Sequence, residues 1–342
     1  MTPHPTRIPV LDGWRGISIL CVLAGHMLPL GPKPFRLNEM FAEVGLLLFF
    51  ILSGFLIVGM LLKNQNVASF LIRRFFRVVP LAWLYLVVVL ALTAAPWSAW
   101  PANVLFYANN PPYPLGYLNG HFWSLCIEMQ FYAMMAVIVA ALGKSGLSSV
   151  PVLCLSVTLL RVAYGIEAPA FDGAGFDYQM TTWFRLDDIL AGGCLALALQ
   201  SVRLRERMRK IPFWSPFALM ALLLAGAHPY GSFLTYLKPY LAAATIASTI
   251  FRSDDALQRT LEGPLLGYLA TVSFALYVIH PATYAGWMGE GPPVARYAKR
   301  CVSFVATFAL AHASTRYYEN YWISMGHRLT DRINTKPVPN TT

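Results

Sequence analysis

The sequence predicts an all-α protein, a polytopic bundle of about ten transmembrane helices with both termini in the cytoplasm. Of the 342 residues, 57% are hydrophobic and 12% are charged, whereas a typical soluble domain is about 25% charged. Apolar runs of roughly 20 residues, the length that crosses a bilayer, recur along the whole chain. This composition excludes an ordinary soluble enzyme and a disordered chain.

The apolar runs place the predicted spans in order. They lie at about residues 10–30, 41–62, 78–96, 122–142, 149–165, 183–200, 213–228, 235–251, 265–286 and 300–318. Asp12 and Arg15 interrupt the first run and no small-residue cleavage site follows it, so we expect it to remain in the mature protein. We predict one transmembrane domain over residues 1–325 and a polar cytoplasmic tail over residues 326–342.

The loop charges predict which side the termini occupy. Lys and Arg concentrate in alternate loops, while the segment 97–121 has neither and the segment 166–182 carries only the acids Glu167, Asp172 and Asp177. Because inner loops of membrane proteins are rich in Lys and Arg, the termini are expected inside, although Arg296, Lys299 and Arg300 in the last outer loop argue the other way. Despite a net charge of +10, the cations form no single solvated face, which argues against a nucleic-acid partner.

The first span carries an arginine and a histidine on one face. Arg15 and His26 are eleven residues apart, which on a helix amounts to three turns plus ~20° and a rise of ~16 Å. With the N-terminus inside, Arg15 lies near the inner interface and His26 lies in the outer half of the membrane.

Other spans bring further ionisable groups to the same predicted outer layer. These groups are Glu128, Arg185, Asp187, Asp188 and His280. Buried charges can form a structural ion network, but intramembrane ionisable groups by default mark a functional site, and imidazoles beside carboxylates suit general acid–base chemistry. We favour the functional interpretation. On the inner side, the cluster Arg73, Arg74 and Arg77 either binds phosphate or anchors the topology.

Several short segments follow one another in the order of a known family. They are D-G-W-R-G (12–16) with G-H (25–26), F-F-I-L-S-G-F-L-I (49–57), R-F-F-R (74–77), W-S-L-C-I-E-M-Q-F-Y (123–132), R-L-D (185–187), V-S-F-A-L-Y-V-I-H (272–280) and Y-Y-E (317–319). Together they resemble the motifs of the bacterial integral-membrane acyltransferase family 3, whose R-x10-H signature the first segment matches. The resemblance covers nearly the whole chain.

The resemblance implies an O-acyltransferase of the bacterial cytoplasmic (inner) membrane. Such a protein moves an acyl group, commonly acetyl, from cytoplasmic acyl-CoA to a hydroxyl of a periplasmic or exported glycan such as a polysaccharide or lipopolysaccharide. The expected partners are therefore acyl-CoA, a glycan and the lipid bilayer, and no metal is expected.

On this resemblance we assign expected roles to individual residues. Arg74 and Arg77, with Arg73, would bind the CoA phosphates. Arg15 would line the inner mouth of a passage, where it is expected both to bind acyl-CoA and to take part in catalysis. His26 would be the general base, with Glu128 as an alternative base or as the group that orients the imidazole. Arg185, held by Asp187, would stabilise the oxyanion. Direct transfer and a covalent acyl-histidine or acyl-serine intermediate at Ser124 both stay open. Trp123, Tyr277 and His280 would bind the acceptor or support the site.

The outer segment 97–121 offers aromatic rings and amides suited to sugars. They are Trp97, Trp100, Tyr107, Asn109, Asn110, Tyr113, Tyr117 and Asn119. An interfacial aromatic belt explains the same rings equally well.

Two departures from the family limit the transfer of roles. Where many members have an acid before the Phe pair, this chain has Leu47, so that role is absent or taken by Glu43. Many relatives append a periplasmic hydrolase-like domain, whereas about twenty polar residues follow Trp322 here, so we expect a stand-alone membrane domain.

Three other functions remain as alternatives. A secondary transporter or flippase of a lipid-linked sugar would use the charged layer as a proton relay. A non-catalytic membrane sensor would tolerate loss of those charges. An enzyme that acylates a small-molecule glycoside would keep the chemistry and change the acceptor.

Overall fold

The computed structural model of the protein describes residues 8–112, 114–166, 180–252, 255–288 and 291–334. Over these residues the chain forms helices and no β-strand. The α-helices are α1 (Pro9–Met27), α2 (Leu37–Lys63), α3 (Val67–Leu92), α4 (Ala99–Val104), α5 (Phe122–Leu142), α6 (Val150–Ala163), α7 (Leu186–Ala198), α8 (Val202–Met208), α9 (Ser215–Ala227), α10 (Leu234–Ile250), α11 (Ala256–Leu261), α12 (Pro264–Tyr284), α13 (Pro293–Ala313) and α14 (Asn320–Asn334). The all-α prediction is confirmed.

Each of the ten segments predicted as spans overlaps one of these helices. Four described stretches are long and apolar enough to cross a membrane: Lys33–Lys63, Val67–Leu92, Phe122–Ala163 and Pro264–Tyr284. The protein is therefore a multi-pass membrane protein, while the total of about ten spans and the side of the termini stay predictions.

Local sequence signals explain several helix starts. Pro9, Pro264 and Pro293 stand in the first turns of α1, α12 and α13, where the missing N–H of proline removes no helical hydrogen bond. The side chain of Asn66 caps α3 by accepting a hydrogen bond from the backbone N–H of Ser69 at 2.9 Å, which satisfies one otherwise unpaired donor.

The helices that carry the site pack at glycines. α1 packs between α2 and α12, and a Cβ placed at Gly45 would lie 2.6 Å from the carbonyl oxygen of Ser18. α2 and α7 cross where Gly54 and Gly192 meet the opposing backbone. Close backbone contact at these points fixes the spacing of the helices that bear the polar side chains.

A π-helical turn at Ser314–Glu319 joins α13 to α14. α14 packs on α3: Arg73 donates a hydrogen bond to Thr330 Oγ1 at 3.1 Å, and Asn66 donates one to Asn334 at 3.0 Å. α14 thus runs through residue 325, where the predicted membrane domain ends. That division stays a prediction, and residues 335–342 of the predicted tail lie outside the described residues.

Candidate active site

A cavity of about 360 Å³ lies among α1, α2, the start of α5 and the end of α12. Its polar lining includes His26, His121, His280 and Glu43, and its aromatic lining includes Trp123. The remaining lining residues are Val22, Ala42, Leu46, Leu115, Gly116, Tyr117, Gly120, Met180, Tyr277, Pro281 and Tyr284. Predicted site residues from three different helices, α1, α5 and α12, therefore share one cavity.

The three histidines form a contiguous cluster. The ring centroid of His280 lies 5.1 Å from that of His26 and 5.3 Å from that of His121. His280 is fully buried, whereas His26 is exposed within the open cavity. His26 is therefore the imidazole that an entering molecule can reach.

The backbone contacts of these histidines determine which ring nitrogen carries a lone pair. His26 Nδ1 lies 3.1 Å from the carbonyl oxygen of Val22, and because a carbonyl only accepts, Nδ1 is the donor and Nε2 is left as the acceptor. By the same argument, His280 donates from Nδ1 to Tyr277 at 2.7 Å and His121 donates from Nε2 to Val278 at 3.2 Å. The neutral ring of His26 thus has the lone pair that a general base requires.

Glu43 forms the charged wall of the cavity and is held by buried cations. Arg185 donates to both carboxylate oxygens, at 2.8 and 3.1 Å, and Lys238 donates to Oε1. Arg185 also pairs with Asp188 at 2.9 Å. The positive charges of Arg185 and Lys238 balance the negative charges of Glu43 and Asp188, because buried charges are stable only when they are paired.

Arg185 does not occupy the place that its expected oxyanion role requires. Its side chain is 2% exposed and, as far as the described residues go, is absent from the cavity lining. Its guanidinium carbon lies 5.2 Å from the ring centroid of Trp123. The expected pair with Asp187 is wrong because Asp187 accepts instead from Arg161 at 2.8 Å, and Asp188 is the partner of Arg185.

Ser124 lies outside the cavity lining and is buried. Its hydroxyl contacts the hydroxyl of Tyr277, and Tyr277 donates a hydrogen bond to the carbonyl oxygen of His121 at 2.6 Å. The pair connects α12 to the start of α5 beside His121. Ser124 is thus packed beside the histidine cluster, and its part in a covalent intermediate stays a prediction.

A second cavity, of about 30 Å³, gathers the arginines, and it is called the inner cavity because the loop charges predict that this end faces the cytoplasm. Arg15, Arg74 and Arg77 line it together with the carboxylate of Glu128. Glu128 accepts hydrogen bonds from Ser53 at 2.7 Å and from Tyr132 at 2.5 Å. The predicted layer that grouped Glu128 with His26 is therefore split, because Glu128 lies with the inner arginines.

Arg73 does not line the inner cavity with Arg74 and Arg77. It points to α14, where it meets Thr330 and lies 3.9 Å from Asp331. Adjacent residues on a helix are ~100° apart, so Arg73 and Arg74 face different surroundings.

A small cavity of about 10 Å³, enough for about one water, lies between the two sites. It shares Val22, Leu46 and Tyr277 with the large cavity. It shares Arg15, Phe49 and Ser273 with the inner cavity. The three cavities thus form a row along the α1 face that carries Arg15 and His26.

Most amides of the outer segment are structural. Asn109 and Asn119 are buried, and their side chains donate to Thr182 at 3.0 Å and to Asn103 at 2.8 Å. Tyr117 is 73% exposed and reaches the cavity lining, and Trp97 is 83% exposed. Tyr113 lies outside the described residues, as do Glu167, Asp172 and Asp177.

The sequence interpretation missed His121 and Lys238 as members of the site. His121 lies two residues before the motif 123–132, and this position could have identified it as a site residue. Lys238 interrupts an apolar segment, which is the criterion that identified the other intramembrane charges. Glu43 was considered only as a substitute for a missing acid.

Comparison with known proteins identifies the family. The family model described as an acyltransferase domain, acyltransferase 3, matches residues 8–316. Peptidoglycan O-acetyltransferase OatA of Listeria monocytogenes is 25% identical over 326 residues, which cover 80% of this chain and 49% of OatA. YrhL of Bacillus subtilis, named as a candidate peptidoglycan O-acetyltransferase, is 27% identical over 338 residues, which cover 82% of this chain and 49% of YrhL.

The chain spans about half the length of these curated relatives. No solved structure matches it. The family match extends over most of the described helices and includes both Arg15 and His26. The chain belongs to the acyltransferase 3 family.

Proposed function

We propose that the chain is an O-acyltransferase of the bacterial cytoplasmic membrane. It moves an acyl group, acetyl in the simplest case, from cytoplasmic acyl-CoA to a hydroxyl of a glycan on the outer side. The observation that carries this proposal is the row of three cavities from the inner arginines to His26. The names of the relatives, which specify O-acetyl transfer, support the same reaction type.

The inner cavity is suited to the donor. Arg74, Arg77 and Arg15 surround it, and guanidinium groups bind phosphate oxygens through paired, charge-assisted hydrogen bonds. An extended pantetheine arm bridges the ~16 Å helical rise from Arg15 to His26. The connecting cavity holds only about 10 Å³, so the side chains that line it, Phe49 among them, must move apart when the arm enters.

The large cavity is suited to the transfer step. His26 Nε2 takes the proton of the acceptor hydroxyl while the hydroxyl oxygen attacks the thioester carbonyl carbon. The new C–O bond forms, the C–S bond breaks, and the proton passes from His26 to the leaving thiolate, so that CoA-SH departs. Direct transfer needs no second protein nucleophile.

Glu128 has a positioning role in this scheme. Its carboxylate accepts hydrogen bonds from Ser53 and Tyr132, and the residue lines the inner cavity. It balances part of the charge of the three arginines when no phosphate is bound. We therefore propose Glu128 as an organiser of the donor site and His26 as the base.

The proposal is tested with purified protein in detergent, acetyl-CoA labelled on the acetyl group, and a glycan acceptor. Wild-type protein is expected to transfer the label, and His26→Ala to lower kcat by about 100-fold or more, the usual contribution of a general base. His327→Ala is the matched control, because His327 is exposed on α14 and should leave transfer unchanged. A protein that transfers no label, as a transporter would, contradicts the proposal.

A further inference from the structure

Glu43 lines the large cavity, and one of its carboxylate oxygens has hydrogen-bonding capacity left. A carboxylate accepts about four hydrogen bonds. Among the described residues, Oε1 receives hydrogen bonds from Arg185 and Lys238, whereas Oε2 receives one from Arg185, at 3.1 Å. Glu43 is part of the cavity lining, so the remaining lone-pair site on Oε2 is available to a hydroxyl of a bound molecule.

The histidine cluster adds one reachable acceptor to the same cavity, Nε2 of His26. His280 Nε2 and His121 Nδ1 are buried, and neither has a hydrogen-bond partner in the part of the chain that the structure describes. The backbone contacts already assign both atoms as lone-pair acceptors, like His26 Nε2. Because these two nitrogens are buried, the acceptors that a bound molecule can reach are Nε2 of His26 and the carboxylate of Glu43, and the cavity is suited to a molecule with at least two hydroxyl donors.

The cavity offers no cationic side chain to a ligand. Among the described residues, its lining includes neither Lys nor Arg. The nearby cations, Arg185 and Lys238, are buried behind Glu43 and are already paired with it. An anionic group that entered would lose its hydration without gaining a charged partner.

An aromatic platform completes this subsite. Trp123 lines the cavity, and the Arg185 that holds Glu43 also packs on the ring of Trp123. One arginine therefore sets the position of both a ring and a carboxylate. A ring face beside a hydrogen-bond acceptor fits the alternating apolar and hydroxyl surfaces of a sugar.

We propose that the large cavity selects an uncharged, polyhydroxylated sugar residue, and that Glu43 is the specificity-determining residue. Glu43 accepts a hydrogen bond from a hydroxyl next to the reacting one, while His26 takes the proton of the reacting hydroxyl. This inference rests on the proposed function and narrows its acceptor. It also predicts that a sugar residue that carries a carboxylate into the large cavity is a poor acceptor.

The first arm of the test uses the wild-type protein and two acceptors of equal size. Both are glucosamine oligosaccharides with all hydroxyls intact, one N-acylated with succinamide (neutral) and the other with succinate (anionic). With labelled acetyl-CoA, the neutral acceptor is expected to have a kcat/KM about tenfold or more above that of the anionic one. Equal values of kcat/KM overturn the inference. They leave the proposed function standing, because the label is still transferred. Absence of transfer to both acceptors overturns the proposed function and the inference with it.

The second arm removes Glu43 without leaving a charge unbalanced. In the double variant Glu43→Gln/Lys238→Met, one anion and one cation are lost together, and Arg185 keeps Asp188. The KM for the neutral acceptor is expected to rise about tenfold, the usual loss for a hydrogen bond to a charged group, with the KM for acetyl-CoA unchanged. The preference for the neutral acceptor should fall towards equality. A preference that stays at the wild-type value overturns the role of Glu43, and if this variant does not fold, the wild-type comparison still decides the inference.

Discussion

His26 differs from the other two histidines of the cavity in its exposure. All three rings donate to a backbone carbonyl and keep one acceptor nitrogen. His280, however, is fully buried against His26 and His121. The chemistry is thus assigned to His26 because it combines a free lone pair with access to the cavity.

The arginine cluster allows a residue-level prediction with an internal control. Arg74→Ala/Arg77→Ala should weaken acyl-CoA binding by about 100-fold or more, because each lost charge-assisted hydrogen bond is worth about 1.5–3 kcal/mol. Binding of acyl-CoA to the purified protein, measured by isothermal calorimetry, checks this.

Arg73→Ala is the control for that experiment. Arg73 contacts Thr330 on α14 and lies outside the inner cavity, so its loss should leave acyl-CoA affinity within about threefold of wild type. Equal affinity of the double variant and the wild type would reduce Arg74 and Arg77 to topology anchors.

The residue pairs that sequence could predict are those within one helix. The shared face of Arg15 and His26 follows from helical periodicity alone, and the row of cavities runs along that face. Glu128 could not be placed this way, because its partner Ser53 is on α2 and the crossing of α2 with α5 is a tertiary property. The choice of Asp188 over Asp187 as the partner of Arg185 likewise depends on how α7 is rotated in the bundle.

At the scale of elements, the crossing of α2 and α7 determines where Glu43 and Arg185 meet. A Cβ at Gly54 would lie 1.8 Å from the carbonyl oxygen of Ile189, and one at Gly192 would lie 2.0 Å from that of Ile51. Small residues at such crossings let helix backbones approach closely in membranes. The ion pair between the two helices depends on this contact.

Gly54→Ala should therefore destabilise the protein. The added methyl group forces the two backbones apart, at a cost of about 1–3 kcal/mol or more, and should lower the thermal unfolding temperature in detergent by several degrees. Gly59→Ala on the same helix is the matched control, since nothing lies within 4 Å of a Cβ there. An unfolding temperature for Gly54→Ala equal to that of Gly59→Ala would contradict the close crossing.

The helices themselves were well predicted because apolar runs and proline positions are local signals. Each predicted segment overlaps a helix, although the ends differ: α3 begins at Val67, ahead of the predicted residue 78. That prediction began too late because Arg73, Arg74 and Arg77 make the first part of the helix polar. The π-helical turn at Ser314–Glu319, where the side chain of Thr315 donates to Glu319 at 2.7 Å, has no comparable sequence signal.

At the scale of the whole molecule, the inner cavity with its arginines and the large cavity with its histidines lie at different positions along α1. The charge of the loops predicts that the arginine end faces the cytoplasm. The proposed function therefore requires transfer across the membrane, with the thioester supplied from one side and the hydroxyl from the other. An enzyme whose substrates came from the same side would not need the connecting row of cavities.

The most direct test of this claim uses vesicles that contain the protein, with labelled acetyl-CoA enclosed and a neutral oligosaccharide outside. A thioesterase added outside destroys any acetyl-CoA that leaks. The account predicts that the external oligosaccharide becomes labelled in vesicles with wild-type protein and stays unlabelled with His26→Ala. Labelling that occurs only when acetyl-CoA and the oligosaccharide are on the same side would contradict it.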